Sequence, residues 1–346
     1  MAISPAMRSR LSRSAPALGG APLGNLFQAI PEDVAIALVR YAYVAGARYF
    51  DTAPHYGLGL SERRMGAALG DVPRDSFLLS TKVGRLLTPA SDAPSSQYGY
   101  VDVPPFVQHY DYTGSGALRS IEDSLRRMGL SRIDFVFVHD VDAATHGQDF
   151  ARHFAQMLDG ALPALARLKS EGTIGGYGLG VNDVEICRAT LRHADLDVIL
   201  LAGRYTLADQ SALPELLPEC SKRDVAIVLG GPFNSGILAS GSRPSDGGVP
   251  YFNYAPAYAP MIAHVRTIES VCAQFKVPLK AAALQFPLAH PAVACVLPGA
   301  RSRSEFDDNA AMARIPIPQE FWQALRTLAL VNPLAPLPAR VAEGRR

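Results

Sequence analysis

Ile133-Asp134-Phe135-Val136-Phe137-Val138-His139 is a seven-residue stretch, apolar through its middle and closed by an imidazole. A run this short and this rich in Val and Phe suits a strand covered on both faces better than a buried helix. Outward from it, similar runs lie near Ala17-Gly20, Arg48-Thr52, Phe77-Lys82, Gly175-Gly180, Asp197-Leu201, Val225-Gly230 and Val293-Pro298, eight in all. Between them, Glu32 to Ala45 and Ser115 to Met128 carry apolar residues at spacings of three and four, with Asp33 or Ser115 near the start and Gly46 or Gly129 just past the end. These are the marks of amphipathic helices with polar starts and glycine stops. Eight such units predict an α/β fold, a closed (β/α)8 TIM barrel. The competing open sheet needs a Gly-x-Gly-x-x-Gly turn after its first strand, and Leu18-Gly-Gly-Ala-Pro-Leu-Gly-Asn25 lacks it.

A length of 346 residues fits one barrel domain, expected over residues 15–333 between flexible tails at 1–14 and 334–346. Apolar residues at 48% and charged ones at 19% exclude a disordered chain. With 33 basic against 32 acidic residues there is no surplus to neutralise a phosphate backbone, so nucleic acid is not an expected partner. Cys187, Cys220, Cys272 and Cys295 have no pairing or metal spacing and read as reduced thiols in a cytoplasmic protein, and no metal is expected. No apolar run reaches the roughly 20 residues that span a bilayer. A monomer or weak homo-oligomer acting on a small molecule is expected.

Two segments break the barrel rhythm. Leu86 to Thr113 and Ser240 to Pro260, rich in Pro, Gly and Tyr, are too long for ordinary connections and follow strands, so both belong over the C-terminal mouth, where barrels of this kind hold their sites. Asp51, Lys82 and His139 sit at strand ends and Tyr56 lies five residues beyond Asp51, so all four share that address. Their chemistry is complementary. An ammonium about 4 Å from a phenol is worth on the order of 4 kcal/mol at an effective dielectric of 20, enough to draw Tyr56 toward neutrality. Asp51 would orient Lys82, and His139 would donate to the reacting oxygen. Such a site moves a proton and needs a separate carrier of electrons. His55 is given no catalytic role, and His146, His153 and His193 read as surface histidines.

Asp51-Thr-Ala-Pro-His-Tyr56-Gly57 with Ser61-Glu62 behind it, the strand-end Lys82 and His139, and Leu297-Pro-Gly-Ala-Arg301 with Asp308-Asn309 together resemble the aldo-keto reductase superfamily. The resemblance runs from about Ala17 to Asn309. It implies a (β/α)8 barrel with Asp51, Tyr56, Lys82 and His139 as a catalytic tetrad beside a nicotinamide cofactor. It also implies cofactor contacts from Asn182, from Gly231, Pro232, Phe233, Asn234 and Gly236 after the seventh strand, and from Gly299, Arg301, Glu305, Asp308 and Asn309 in the last loop. Val181 stands where the family usually has serine. Gly299 and Glu305 occupy the places where members preferring NADP carry basic residues, which implies NAD, with NADP still possible through Arg301 and Arg303.

The runs Phe50 to Glu62, Val138-His-Asp140, Ala202-Gly-Arg-Tyr-Thr206 and Gly231 to Gly236 are similar to the branch containing L-fucose and D-threo-aldose 1-dehydrogenases and pyridoxal 4-dehydrogenase. That branch implies oxidation of a cyclic hemiacetal, an aldose or pyridoxal, to a lactone, with Tyr56 as general base. Aromatic walls for either substrate are expected from Tyr98, Tyr100, Phe106, Tyr110, Tyr251 and Tyr254. Open-chain aldehyde reduction uses the same groups in reverse. A Schiff-base aldolase built on Lys82 and a non-enzymatic, cofactor-sensing partner are the readings of other classes.

Overall fold

The computed structural model describes residues 3–12, 17–245 and 247–339. Eight strands pair in chain order, all parallel: Leu18–Gly19 (β1), Tyr49–Asp51 (β2), Leu78–Val83 (β3), Phe135–His139 (β4), Gly176–Val181 (β5), Val198–Ala202 (β6), Ala226–Gly230 (β7) and Val293–Leu297 (β8). Gly19 N–H donates to the Pro298 carbonyl at 2.9 Å and Gly19 bridges Gly299 in parallel, which brings the first and last strands together. All eight expected runs form these strands.

Strand alternation sorts the side chains into two cores. Tyr49, Leu78, Phe135, Phe137, Val198, Leu200 and Val228 fill the interior. Phe50, Leu79, Val136, Val138, Ile199, Ile227 and Leu229 face the helices outside. The same parity continues upward: Asp51, Lys82 and His139 share the inward phase of Tyr49, of Leu78 and Ser80, and of Phe135 and Phe137. A charged or titratable side chain thus stands at the last inward position of three successive strands.

The first residues, expected as a flexible tail, contain helix α1, Pro5–Ser12. Ile3 and Leu11 are buried among the interior side chains and Met7 packs against them. Arg8 pairs with Asp224 at 2.8 Å, and Arg10 donates to the Asp75 carbonyl at 2.8 Å. A barrel needs an apolar floor, and Ile3, Met7 and Leu11 at four-residue spacing supply it. Beyond residue 333, Ala335 is buried and its carbonyl accepts from Arg326 at 2.7 Å, so packed structure extends into the segment expected as the other tail.

Helix α2, Glu32–Val44, begins after Pro31, with Asp33 inside its first turn. Glu62 and Arg64 lie on α3, Leu60–Leu69. Helix α4, Gly114–Met128, is capped by Thr113, whose hydroxyl accepts from Gly116 N–H at 3.0 Å, so Ser115 is not the cap. Thr113 wins because its extended backbone aims the hydroxyl at the first turn. Gly129 follows in the left-handed region at φ 63°, as expected.

Both long segments contain hairpins. Arg85–Pro89 pairs antiparallel with Phe106–Tyr110, and Tyr251–Phe252 with Ala255–Pro256. The first follows β3 directly, through Gly84. All four cysteines are free and buried. Among the described residues no helix is long and apolar enough to cross a membrane, and no cluster of three or more His, Cys, Asp or Glu is placed to hold a metal ion.

Candidate active site

At the mouth of the barrel, Lys82 Nζ donates to Asp51 Oδ2 at 2.7 Å and to the Thr52 carbonyl at 3.0 Å. Ser80 Oγ donates to the other Asp51 oxygen at 2.6 Å. Burial pushes the Asp51 carboxyl up, and Lys82 and then Ser80 oppose that shift. The ammonium lies 4.4 Å from the centroid of the Tyr56 ring. Room for its stem comes from Gly180 on β5, where a Cβ would stand 3.3 Å from Lys82 Cε. Lys82 is 1% exposed and its donors are turned to oxygen, a poor arrangement for a Schiff base.

The structure brings all four expected residues together: Tyr56, Lys82 and His139 line one cavity of about 380 Å³, and Asp51 lies beneath them, bound to Lys82. The Tyr56 and His139 rings meet edge to face at 5.9 Å. Two sequence expectations need correction. Tyr56 is not drawn toward neutrality: burial, then the charge of Asp51, holds its phenol well above its ordinary pKa of 10.0. An ammonium under the ring face does not outweigh the loss of water. His55, given no catalytic role from the sequence, nonetheless stands in the site. Its ring lines the cavity 5.7 Å from His139, and its Nδ1 meets Gln108 Oε1 at 2.9 Å and Arg85 Nη1 at 3.1 Å.

Burial, then Arg85, then Lys82 hold His139 well below its ordinary value, so the ring is neutral at physiological pH. Its Nε2 lies 3.3 Å from Asp140 Oδ2, a carboxylate that favours the Nε2–H tautomer of the neutral ring. Among the described residues its buried Nδ1 has no hydrogen-bond partner. Arg85 Nη2 donates to the same Asp140 oxygen at 2.5 Å. Sequence reasoning missed Arg85 and gave Asp140 no role. The available signals were an arginine placed just after the glycine that ends a barrel strand, and an acid directly following His139.

Tyr98, Tyr100 and Tyr254 line the cavity with Leu26 and Phe27, whereas Phe106 packs against the cluster of Leu58, Tyr100 and Val103, Tyr110 meets His146 edge to face and Tyr251 is exposed. His153, read as a surface residue, is 4% exposed, and His146 Nε2 is 2.9 Å from the Tyr112 hydroxyl. That hydroxyl also donates to the His139 carbonyl at 2.8 Å, bracing the strand end.

Of the expected cofactor residues, Asn182 lines the cavity. Gly231 at φ 56° and Gly236 at φ 118° border open space: a Cβ would meet its nearest neighbour at 3.8 Å at the first and nothing within 4 Å at the second. Asn234 is 2% exposed and donates to the Gly203 carbonyl at 3.0 Å while accepting from Thr206, so it braces this loop from inside. Phe233 lies under Lys280 at 5.4 Å. In the last loop Glu305 accepts from Arg301 N–H at 2.8 Å, Asp308 pairs with Lys280, and Asn309 donates to the Gly299 carbonyl at 3.2 Å. Arg301 Nε and Asn309 Oδ1 are buried without a hydrogen-bond partner among the described residues. Arg303 is turned away, 5.3 Å above the Tyr41 ring. A glycine-edged loop and orphaned donor and acceptor atoms around one mouth fit a dinucleotide.

An eight-stranded parallel barrel with a Lys–Asp pair, a phenol and a neutral histidine at its C-terminal mouth defines a class of oxidoreductase barrels. The chain belongs to the Aldo/keto reductase family, whose model matches residues 17–329. It is 41% identical over 335 residues to the pyridoxal 4-dehydrogenase of Microbacterium luteolum, covering 94% of this chain and 96% of that one. It is 40% identical over 322 residues to the D-threo-aldose 1-dehydrogenase of a Pseudomonas species, covering 91% and 94%. An aldo-keto reductase of Klebsiella pneumoniae solved with NADP and acetate superposes with a TM-score of 0.62 at 22% identity, over 94% of this chain and 92% of its own.

Proposed function

We propose that this protein oxidises a cyclic hemiacetal, an aldose or pyridoxal, to its lactone, with NAD as the preferred cofactor and NADP as the alternative. The observation that carries the reading is the cavity itself, in which Tyr56, Lys82 and His139 converge beneath aromatic walls. Two relatives at 40% identity or more, named for pyridoxal and for an aldose, support the substrate class. When bound, the nicotinamide supplies the acceptor for the hydrogen and electron pair leaving the carbon, held by Asn182, the Gly231–Gly236 loop, Arg301 and Asn309.

The protein's own groups handle the proton. Once the Tyr56 phenol has lost its own proton to bulk water, its oxygen takes the proton of the hemiacetal hydroxyl, while His139 Nε2–H donates to the same substrate oxygen and fixes its direction. Lys82, fixed by Asp51, sits against the phenol and stabilises negative charge as it forms there. Because the phenol lies above its ordinary pKa, oxidation should accelerate as pH rises into the alkaline range. The preference for NAD rests on the last loop, where Arg303 and Lys280 are engaged elsewhere and Glu305 presents a carboxylate. The test is the initial rate of NADH or NADPH appearance at mildly alkaline pH, with each cofactor run separately against L-fucose, D-arabinose and pyridoxal. Turnover of one of them faster with NAD supports the reading; silence on all three with both cofactors removes it.

A further inference from the structure

Asp140 occupies an unusual position. It is a non-glycine residue held at φ 43°, in the left-handed region, directly after His139. Backbone strain of this kind costs free energy and persists where the surroundings enforce it, often at functional sites. Here it presents a carboxylate to the cavity wall beside Tyr56 and His139. One oxygen is clamped by Arg85 at 2.5 Å, and Arg85 in turn leans on His55 at 3.1 Å. The other oxygen has no hydrogen-bond partner among the described residues. A largely buried ion pair is weak evidence of stability, so its retention against a substrate cavity asks for another use.

The geometry supplies one. His139 Nε2 lies 3.3 Å from Asp140 Oδ2, so an imidazole donor and a carboxylate whose Oδ1 is free of Arg85 stand side by side on one wall. Their complement is a pair of neighbouring oxygens, one that accepts and one that donates. The hemiacetal oxygen accepts from His139, and a hydroxyl on the adjacent carbon is the donor that reaches Asp140. We propose that Asp140 is a specificity-determining residue that selects lactols carrying a hydroxyl on the carbon next to the reacting carbon. This inference rests on the lactol-oxidation reading above and narrows it to 2-hydroxy aldoses. A substrate lacking that hydroxyl leaves the carboxylate desolvated and unpartnered, which is costly.

The experiment compares kcat/KM for an aldose that the enzyme oxidises with kcat/KM for the 2-deoxy counterpart of that aldose. It uses the wild type, Asp140→Ala, and the paired replacement of Arg85→Gln with Asp140→Ala, because the single change leaves Arg85 without its anion. The wild type should prefer the hydroxylated sugar by about 10- to 100-fold, and the paired variant by less than about threefold. If both sugars slow equally so that the preference survives, Asp140 is only a brace for Arg85 and His139, and the inference falls. A wild-type preference near one overturns it as well. Turnover of pyridoxal with no turnover of any aldose removes this inference and leaves lactol oxidation standing, whereas silence on aldoses and pyridoxal alike removes the function itself.

Discussion

At the floor of the barrel, Ile3, Leu11, Tyr49, Leu78 and Phe135 close the interior with apolar side chains. At the mouth, the last inward positions of the same strands hold Asp51, Lys82 and His139, with Arg85 and Asp140 against them. Burial stabilises the first set, at roughly 25 cal/mol per Å² of apolar surface removed from water. Burial opposes the second, raising the Tyr56 phenol, lowering the two imidazoles and pushing the Asp140 carboxyl up to about 6. At the mouth, His139 Nδ1, Arg85 Nε and Gln108 Nε2 are buried without hydrogen-bond partners among the described residues. One end of the barrel is built to be stable, and the other spends stability to hold charge out of water.

The sharpest break with that contrast comes from Tyr56→Phe, which keeps the ring and removes the hydroxyl. Turnover should fall by at least about 1,000-fold while the cofactor dissociation constant stays within about twofold. Loss of cofactor binding in a fluorescence titration would make Tyr56 a structural residue and blur the two ends.

Leu11→Ala tests the floor. Leu11 is 0% exposed, and truncating it should cost about 3 kcal/mol in urea unfolding, with kcat/KM within about twofold of wild type. A large activity loss at intact stability would show that the floor controls the mouth.

His55 offers a pH test. Burial and then Arg85 lower its pKa from 6.5 to about 3, so below 6.5 the unfolded chain binds a proton that the fold refuses. The associated stability is complete above pH 6.5 and is lost as pH falls toward 3. Between pH 7 and 5 the wild type should lose about 2 kcal/mol more than His55→Gln does, read from unfolding midpoints at each pH. Equal losses in the two proteins would mean that His55 is open to water.

The smallest effect is expected where mouth meets scaffold, at Thr113, which caps α4 just after the lid hairpin. Thr113→Ala should cost about 1 kcal/mol of stability and leave kcat unchanged. A loss of rate would instead tie the lid's position to that cap.

The barrel was legible because strands buried on both faces read as short apolar runs, and because period-two alternation puts Asp51, Lys82 and His139 on one interior surface. Helix α1 escaped notice because Pro5-Ala-Met-Arg-Ser-Arg-Leu-Ser12 carries only a few apolar residues among polar ones. It is held by burial of Leu11 beneath the barrel and by contacts such as Arg8–Asp224, which are distant in sequence. Of the positions that the resemblance implied as cofactor contacts, Asn234 has a left-handed backbone at φ 45° and turns its amide inward to Gly203, which local pattern does not reveal.

By itself the sequence determined the eight-strand periodicity and the four reactive residues at one end of it, since both follow from local pattern. Only the tertiary structure decided their electrostatics. Whether Lys82 lowers Tyr56, or burial raises it, depends on how much water the lid hairpins exclude. Which group faces His139 depends on bringing Arg85 and Asp140 together across 55 residues of chain. Desolvation and long-range pairing are sums over neighbours in space, and no spacing along a chain contains them.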